Sequence, residues 1–405
     1  MSPQVWRFIF VISLTHALVH TYELAWPSIE QEASSAFYPA DGIRAKEMSG
    51  WLAGIWRMLF GGGSLLVGLL ITRKSATRWL IFYLIGCGGC SILAGLSPNV
   101  AMLGVSLAGM GAFASIYHPA GLGILSDRTT PDQRPMALGI HGILGSLGIA
   151  LGPLWAAVWL GSGGTWRTYF IGLGVPGFLL AVIVGWLRGK EAAMEEAAPA
   201  TNDEFPMQPW LLLLISSIAA IQGFVYSAQL SFLPRYLSQG ADWSSWLDWA
   251  PWFVANDSPS VQGKFLAATA LLLGCVGQLT SGYFARHRLL EKQLVLVLAL
   301  NIPFLIWMGF ASAGWRVVAA GGFALVHFMY QPVYNSLVAK HVAVRFRSFA
   351  FGASFAISLG LGSLGAVFAG RFQSDQPLFV ALAAVTLAGV CIASVMAIAT
   401  RKSSN

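Results

Sequence analysis

The stretch from Tyr117 to Pro153 decides the fold. It opens Tyr117-His118-Pro119, continues as an apolar run, and turns through the polar hook Ser126-Asp127-Arg128 to Arg134-Pro135. A second apolar run follows, punctuated by Gly139, Gly142, Gly145, Gly148 and Gly152-Pro153. This pattern is the end of one membrane helix, a short charged turn, and a second helix with a glycine-lined face. It also recurs. Adding 213 pairs Tyr117 with Tyr330, Pro119 with Pro332, Arg134 with Arg347, Ala137 with Ala350, Gly139 with Gly352 and Gly152 with Gly365. An unbroken register at about half the chain length marks an internal duplication.

Composition sets the solvent. Only 10% of the 405 residues are charged and 56% are hydrophobic, against about 25% charged in a soluble domain. Apolar runs of roughly 20 residues between short polar hooks are the length of transmembrane helices, and too long for the alternating strands of a membrane barrel. The sequence therefore predicts an all-α integral membrane protein with twelve transmembrane helices. The expected spans are 5–28, 49–71, 79–97, 100–125, 136–160 and 168–187, then 210–236, 263–284, 291–312, 315–338, 348–370 and 377–400. Residues 1–187 form one six-helix bundle, 188–209 a polar linker with Glu191, Glu195, Glu196, Asp203 and Glu204, and 210–405 a second, pseudo-symmetric bundle.

The net charge of +7 does not point to nucleic acid, because of where the cations fall. With the N-terminus inside, 16 of the 24 basic residues lie in inner segments, seven in outer ones, and Arg57 within a helix. That positive-inside bias places both termini and the linker in the cytoplasm, and a bacterial inner membrane is the expected location. The first apolar segment carries His16, His20 and Glu23 through its centre and lacks a small-residue cleavage site, unlike a cleaved signal peptide. Cys87-Gly-Gly-Cys90 has redox-motif spacing, but in a glycine-rich membrane helix it reads as small-residue packing. Two outer loops are expected, Ile29–Met48 and Leu237–Gln262. In the second, Trp243, Trp246, Trp249 and Trp252 recur every third residue, as an interfacial anchor would.

Ionisable groups inside spans are costly and mark function. Arg57 stands eight residues into span two, roughly 12 Å deep, and cannot deprotonate. Glu23, at a comparable depth in span one, is its expected partner, either as a structural pair or as a proton or substrate switch. His16, His20 and Glu23 are spaced i, i+4, i+7 and share one helix face. With His118 in span four and His141 in span five they form the candidate proton-coupling set. The same face of span one suits a divalent transition metal, although spacing shows no fourth ligand and no metal is assigned. Candidate substrate contacts are Arg57, Tyr117, Gln222, Tyr226, Gln229, His327, Gln331 and Asn335. Gln331 is the repeat partner of His118, so proton work is expected in the first half. Gly139, Gly148, Gly152 and Pro153 read as a closely packed, bendable seam between halves. Arg73, Asp127, Arg128, Arg134 and Arg347 are candidates for a cytoplasmic gate.

The duplicated six-span plan resembles the major facilitator superfamily across nearly the whole chain. The Gly139–Pro153 pattern is similar to that superfamily's antiporter motif, with Ala156-Ala157 in place of its closing glycines. Thr15-His16 with His20, Tyr117-His118-Pro119, and Gly148–Leu154 with Gly152-Pro153 resemble fosmidomycin-resistance-type exporters. The resemblance implies the major facilitator fold, a rocker-switch mechanism, proton-driven export and a monomer. Two departures stand out. Thr72 follows Gly68 where the superfamily's loop carries aspartate, and Gly282 is followed by Arg286, so the usual carboxylate latch is missing at both positions. His20 stands where the exporters usually carry aspartate, and Glu23 is the replacement candidate.

The leading expectation is a proton-coupled antiporter exporting small organic molecules, with substrate near mid-membrane between the halves. The alternatives are a symporter importing an organic anion through Arg57, and a transition-metal-related transporter using His16, His20 and Glu23. A non-transporting sensor would need an appended domain that the sequence does not show. No P-loop, G-x-S-x-G or H-E-x-x-H occurs, so neither an ATP-driven pump nor a hydrolase is indicated, and no cofactor is expected. The partners are then a small-molecule substrate, protons and the lipid bilayer.

Overall fold

A computed structural model describes residues 3–71, 75–130, 133–188, 209–239, 258–312, 314–342 and 344–402. All its regular structure is helical, and twelve helices are long and apolar enough to cross a membrane. In a hydrocarbon phase the helix satisfies its own backbone, which is why apolar runs of this length fold no other way. The spans are Val5–Phe37, Gly42–Leu70, Ala76–Gly95, Val100–Leu125, Met136–Gly161 and Trp166–Leu187. The second set is Trp210–Ser238, Pro259–Phe284, Leu290–Phe310, Trp315–His341, Ala350–Gly370 and Asp375–Thr400. Large apolar side chains such as Leu69, Val105, Val182 and Leu213 stand exposed, as lipid-facing residues must.

The first expected loop, Ile29–Met48, is mostly helix. Span one runs on to Phe37 and span two already begins at Gly42. Ile29, Ala33 and Ser34 are buried on this extension. The Asp41 side chain accepts a hydrogen bond from Arg44 N at 2.9 Å and caps the next helix. Glu23 therefore lies 14 residues before the end of its span and Arg57 15 residues after the start of its own. At 1.5 Å per residue that is about 21 Å along each helix, so both stand farther from their helix ends than the sequence spacing indicated.

Two spans of the first unit are broken, each beside a candidate residue. Span one consists of Pro3–Glu23 and Ala25–Phe37, joined at Leu24. Span four consists of Val100–Ala114 and Tyr117–Asp127, joined through Ser115 and Ile116. Proline explains both: Pro27 has no N–H for the Glu23 carbonyl, and Pro119 has none for that of Ser115. The freed Ser115 carbonyl instead accepts from Ser64 Oγ at 3.1 Å.

The chain divides into two compact units, Met1–Thr201 and Asn202–Asn405. In the first, small residues let backbones meet. A Cβ added at Gly88 would collide with the Gly174 carbonyl, and one at Gly174 with that of Gly88. Cys87 is buried and donates to the Met110 carbonyl at 3.3 Å, a packing role. Gly148 and Gly152 close on Ala17 and Leu24 of span one, within the unit, whereas a Cβ at Gly139 meets nothing within 4 Å. The second unit repeats the contact, Gly365 closing on the Phe224 backbone of span seven. Span eleven carries a π-helical turn, Ala356–Gly360, where its Ser358 backbone abuts Gly223. Replacing Gly148 by Leu is expected to destabilise the first unit by at least 1–3 kcal/mol, roughly the overpacking range. Gly139→Ala is expected to cost nothing. Thermal unfolding of detergent-purified variants checks both.

Charged contacts tie the second unit at its helix ends. Arg316 Nη1 meets Asp375 Oδ2 at 2.9 Å, and Glu291 Oε1 accepts from Lys340 Nζ at 2.7 Å and His341 Nε2 at 2.8 Å. The linker 188–209 lies outside the described residues except at its ends, as do Trp243, Trp246, Trp249, Trp252 and Arg73. The side chains of Asp127, Arg134 and Arg347 also lie outside them, while Arg128 is half-buried and caps its helix through a backbone bond to the Ile124 carbonyl.

Candidate functional site

The breaks in spans one and four frame a buried polar cluster in the first unit. Glu23 is the last residue before the break in span one. It is 2% exposed, and Arg57 from span two is 1% exposed. Arg57 Nε lies 3.4 Å from Glu23 Oε1, an ion pair at the long edge of hydrogen-bond geometry. The other carboxylate oxygen, Oε2, meets His20 Nδ1 at 2.7 Å. One carboxylate thus holds both an invariable cation and a titratable ring.

Beyond His20 the cluster continues as stacked rings. His20 Nε2 faces His16 Nε2 at 3.2 Å, and His16 Nδ1 meets the His141 carbonyl at 2.7 Å. The His16 ring stacks on His141 at 3.9 Å between centroids and on Tyr117 at 5.1 Å. His118 stands edge-on, 5.4 Å from His16 and 5.6 Å from His20. The Tyr117 hydroxyl donates to the Ile12 carbonyl at 3.0 Å. His141 Nε2 has no hydrogen-bond partner among the described residues.

All five proton-coupling candidates, with Arg57 and Tyr117, therefore converge. Spacing on span one predicted the His16, His20, Glu23 face; packing brought in the rest. It also recruited residues the sequence reading passed over. Phe60 packs its ring 5.5 Å from His118, and Tyr83 donates to the Thr15 carbonyl at 3.0 Å. Gly145 leaves the space that the His16 ring fills, since a Cβ there would strike it. The run Gly142, Gly145, Gly148 was visible, but not that one of its gaps receives a ring.

In the second unit Gln222, Tyr226 and Gln229 follow i, i+4, i+7 on span seven and share a face. Gly223, Ser227 and Phe224 turn other faces toward span eleven. Both glutamines are buried, and neither amide oxygen nor amide nitrogen of either has a hydrogen-bond partner among the described residues. Tyr226 stacks on His327 at 6.0 Å, and His327 on Phe323 at 4.9 Å. His327 Nδ1 is likewise unpartnered among them. Gln331 is exposed and accepts from Gln278 Nε2 at 2.9 Å, and Asn335 is exposed on the same span. The two clusters differ in kind: the first holds an ion pair and four imidazoles, the second two neutral amides beside Tyr226 and a single imidazole, His327.

A twelve-span helical chain of two repeated units, with polar groups held deep inside its spans, defines a membrane transporter rather than an enzyme. The model of the Major Facilitator Superfamily matches residues 21–366, and the chain belongs to that superfamily. Among curated proteins it is similar to the puromycin resistance protein pur8 of Streptomyces alboniger, 27% identical over 158 residues. It is also similar to the efflux pump patC of Aspergillus clavatus, 29% identical over 113 residues. These matches cover 38% and 27% of this chain, which spans only 30% and 20% of those relatives' lengths. Among solved structures, a bacterial homologue of the human lysosomal transporter Spinster, inward-facing and occupied, matches with TM-score 0.69 at 15% identity, covering 98% of this chain and 97% of that one. The peptide transporter POT in complex with sulfate matches with TM-score 0.73 at 16% identity, covering 97% and 94%. These likenesses are of fold.

Proposed function

We propose that this transporter exports small organic molecules from a bacterial cytoplasm in exchange for protons, by alternating access and as a monomer with both termini inside. The observation that carries the reading is the Glu23 carboxylate held between Arg57 at 3.4 Å and His20 at 2.7 Å. A proton arriving on this network weakens the hold of Glu23 on Arg57, and the change in buried charge shifts the populations of the two access states. The histidines leading inward from His20 supply the remaining proton positions. Gln222, Tyr226, Gln229 and His327 supply uncharged contacts for the exported molecule.

Export is favoured by the likeness to a puromycin resistance protein and an efflux pump, and by the resemblance of the span one, four and five motifs to fosmidomycin-resistance-type exporters. Uptake of an organic anion would need Arg57 as the anion's contact, and Glu23 already occupies it. Everted vesicles carrying a pH-sensitive dye test the reading, with a panel that begins with puromycin and fosmidomycin. At least one compound is expected to discharge the gradient in the wild type and not in Glu23→Gln or Arg57→Ala. A discharge that survives both substitutions retires the pair as the coupling site. If no compound elicits a discharge, the export reading fails.

A further inference from the structure

The ring nitrogens of the histidine cluster suit a metal ion as well as protons. His16 Nδ1 faces a backbone carbonyl, that of His141 at 2.7 Å. A carbonyl only accepts, so the His16 proton sits on Nδ1 and its Nε2 carries a lone pair. His20 Nδ1 faces the Glu23 carboxylate at 2.7 Å. The carboxylate also accepts, so His20 Nδ1 carries a proton, and in the neutral ring its Nε2 carries a lone pair as well. These two lone pairs point at one another across 3.2 Å. A cation between them, a proton or a metal ion, makes that contact favourable.

The dimensions and surroundings fit a metal ion. Two nitrogens at about 2.0–2.1 Å from a tetrahedral zinc are about 3.3 Å apart, close to the separation observed. Ligating histidines almost always donate their other N–H to a carboxylate or a backbone carbonyl, which fixes the ring and raises its basicity. His20 and His16 have one of each. His118, from the part of span four after the break at Ser115, is the third candidate: ligand-capable nitrogens of His16, His20 and His118 all lie within 4.8 Å of one another, and the His118 ring closes in when the ion binds. Neutral imidazoles select zinc, nickel or copper rather than calcium or magnesium. Three histidines leave a fourth position for water.

We propose that His16, His20 and His118 form a binding site for a divalent transition metal of the zinc class, with Glu23 and the His141 carbonyl orienting two of its ligands. Glu23 is thus an outer-shell group and not a ligand, unlike the set that span one alone indicated. The ion joins span one to span four across their two breaks, and it competes with protons for the same ring nitrogens. It also places two positive charges near Arg57, so metal and guanidinium disfavour each other through Glu23.

The test is zinc binding to the full-length protein in detergent, by competition with a chromophoric chelator. One tight zinc per chain is expected in the wild type, together with a rise in thermal midpoint on adding zinc. His20→Ala and His118→Ala are expected to lose the tight site. Glu23→Gln is expected to weaken it 10–100-fold, roughly the cost of removing an outer-shell partner, and Arg57→Gln to strengthen it severalfold. His287→Gln, on an exposed residue far along the chain, is the control and is expected to change nothing. Cobalt(II) in place of zinc is expected to give the intense visible absorption of tetrahedral coordination in the wild type, which needs no variant to fold. The proposal is overturned by a wild type that binds no zinc tightly, or by tight binding that persists in monodisperse His20→Ala and His118→Ala. Because the assay involves no transport, its failure leaves the export reading standing, and silence in the vesicle assay leaves the metal site standing.

Discussion

Replacing Glu23 by Gln is expected to destabilise the first unit by about 3–5 kcal/mol, the usual result of removing one partner from a buried ion pair. The reason is asymmetric. Arg57 stays charged whatever its surroundings, and it is 1% exposed. Arg57→Gln is expected to cost less, because Glu23 keeps the His20 ring at 2.7 Å. The double variant Glu23→Gln, Arg57→Gln is expected to recover most of the loss, since neither buried charge then remains. Transport should not recover with it. Thermal unfolding in detergent for the four proteins, beside the vesicle assay, separates the two roles. A double variant that is stable and still transports would leave the pair with a structural role alone.

Gln222→Leu and Gln229→Leu are expected to act in opposite directions on stability and transport. Each wild-type side chain buries an amide whose oxygen and nitrogen have no hydrogen-bond partner among the described residues. A buried polar group left unsatisfied costs about 1–3 kcal/mol. An apolar residue of similar volume removes that cost, so each variant should unfold at a higher temperature than the wild type. If these amides receive the exported molecule, the same variants lose transport by at least tenfold, because a site built around hydrogen bonds loses discrimination when they go. Stabilisation with transport intact would remove the face from the substrate path. Destabilisation would show that the amides have partners in the folded protein.

Much of the fold was legible because lipid leaves so few choices. An apolar run of twenty residues must close its own backbone bonds, and that fixed twelve spans from composition and length. The misjudged stretch, Ile29–Met48, shows where the rule stops. It was expected as an outer loop because it falls between two apolar spans, yet hydropathy says nothing about a helix that continues past the apolar core with one face buried and a cap at Asp41. The site was legible only along single helices. His16, His20 and Glu23 share a face by spacing, and Gln222, Tyr226 and Gln229 do the same.

What the sequence determined by itself was thus everything governed by local period and solvent: the spans, the duplication at 213 residues, and the faces on which polar groups ride. The tertiary structure decided which faces meet. His118 and Gln331 occupy the same repeat position, but His118 stands beside the imidazoles of His16 and His20, while Gln331 turns to Gln278. The space that Gly145 leaves for the His16 ring and the bond from Ser64 to the freed Ser115 carbonyl each depend on residues from other spans. The physical reason is that contacts between helices in lipid are set by close packing of small residues and by satisfying buried polar groups. Neither leaves a period in the chain.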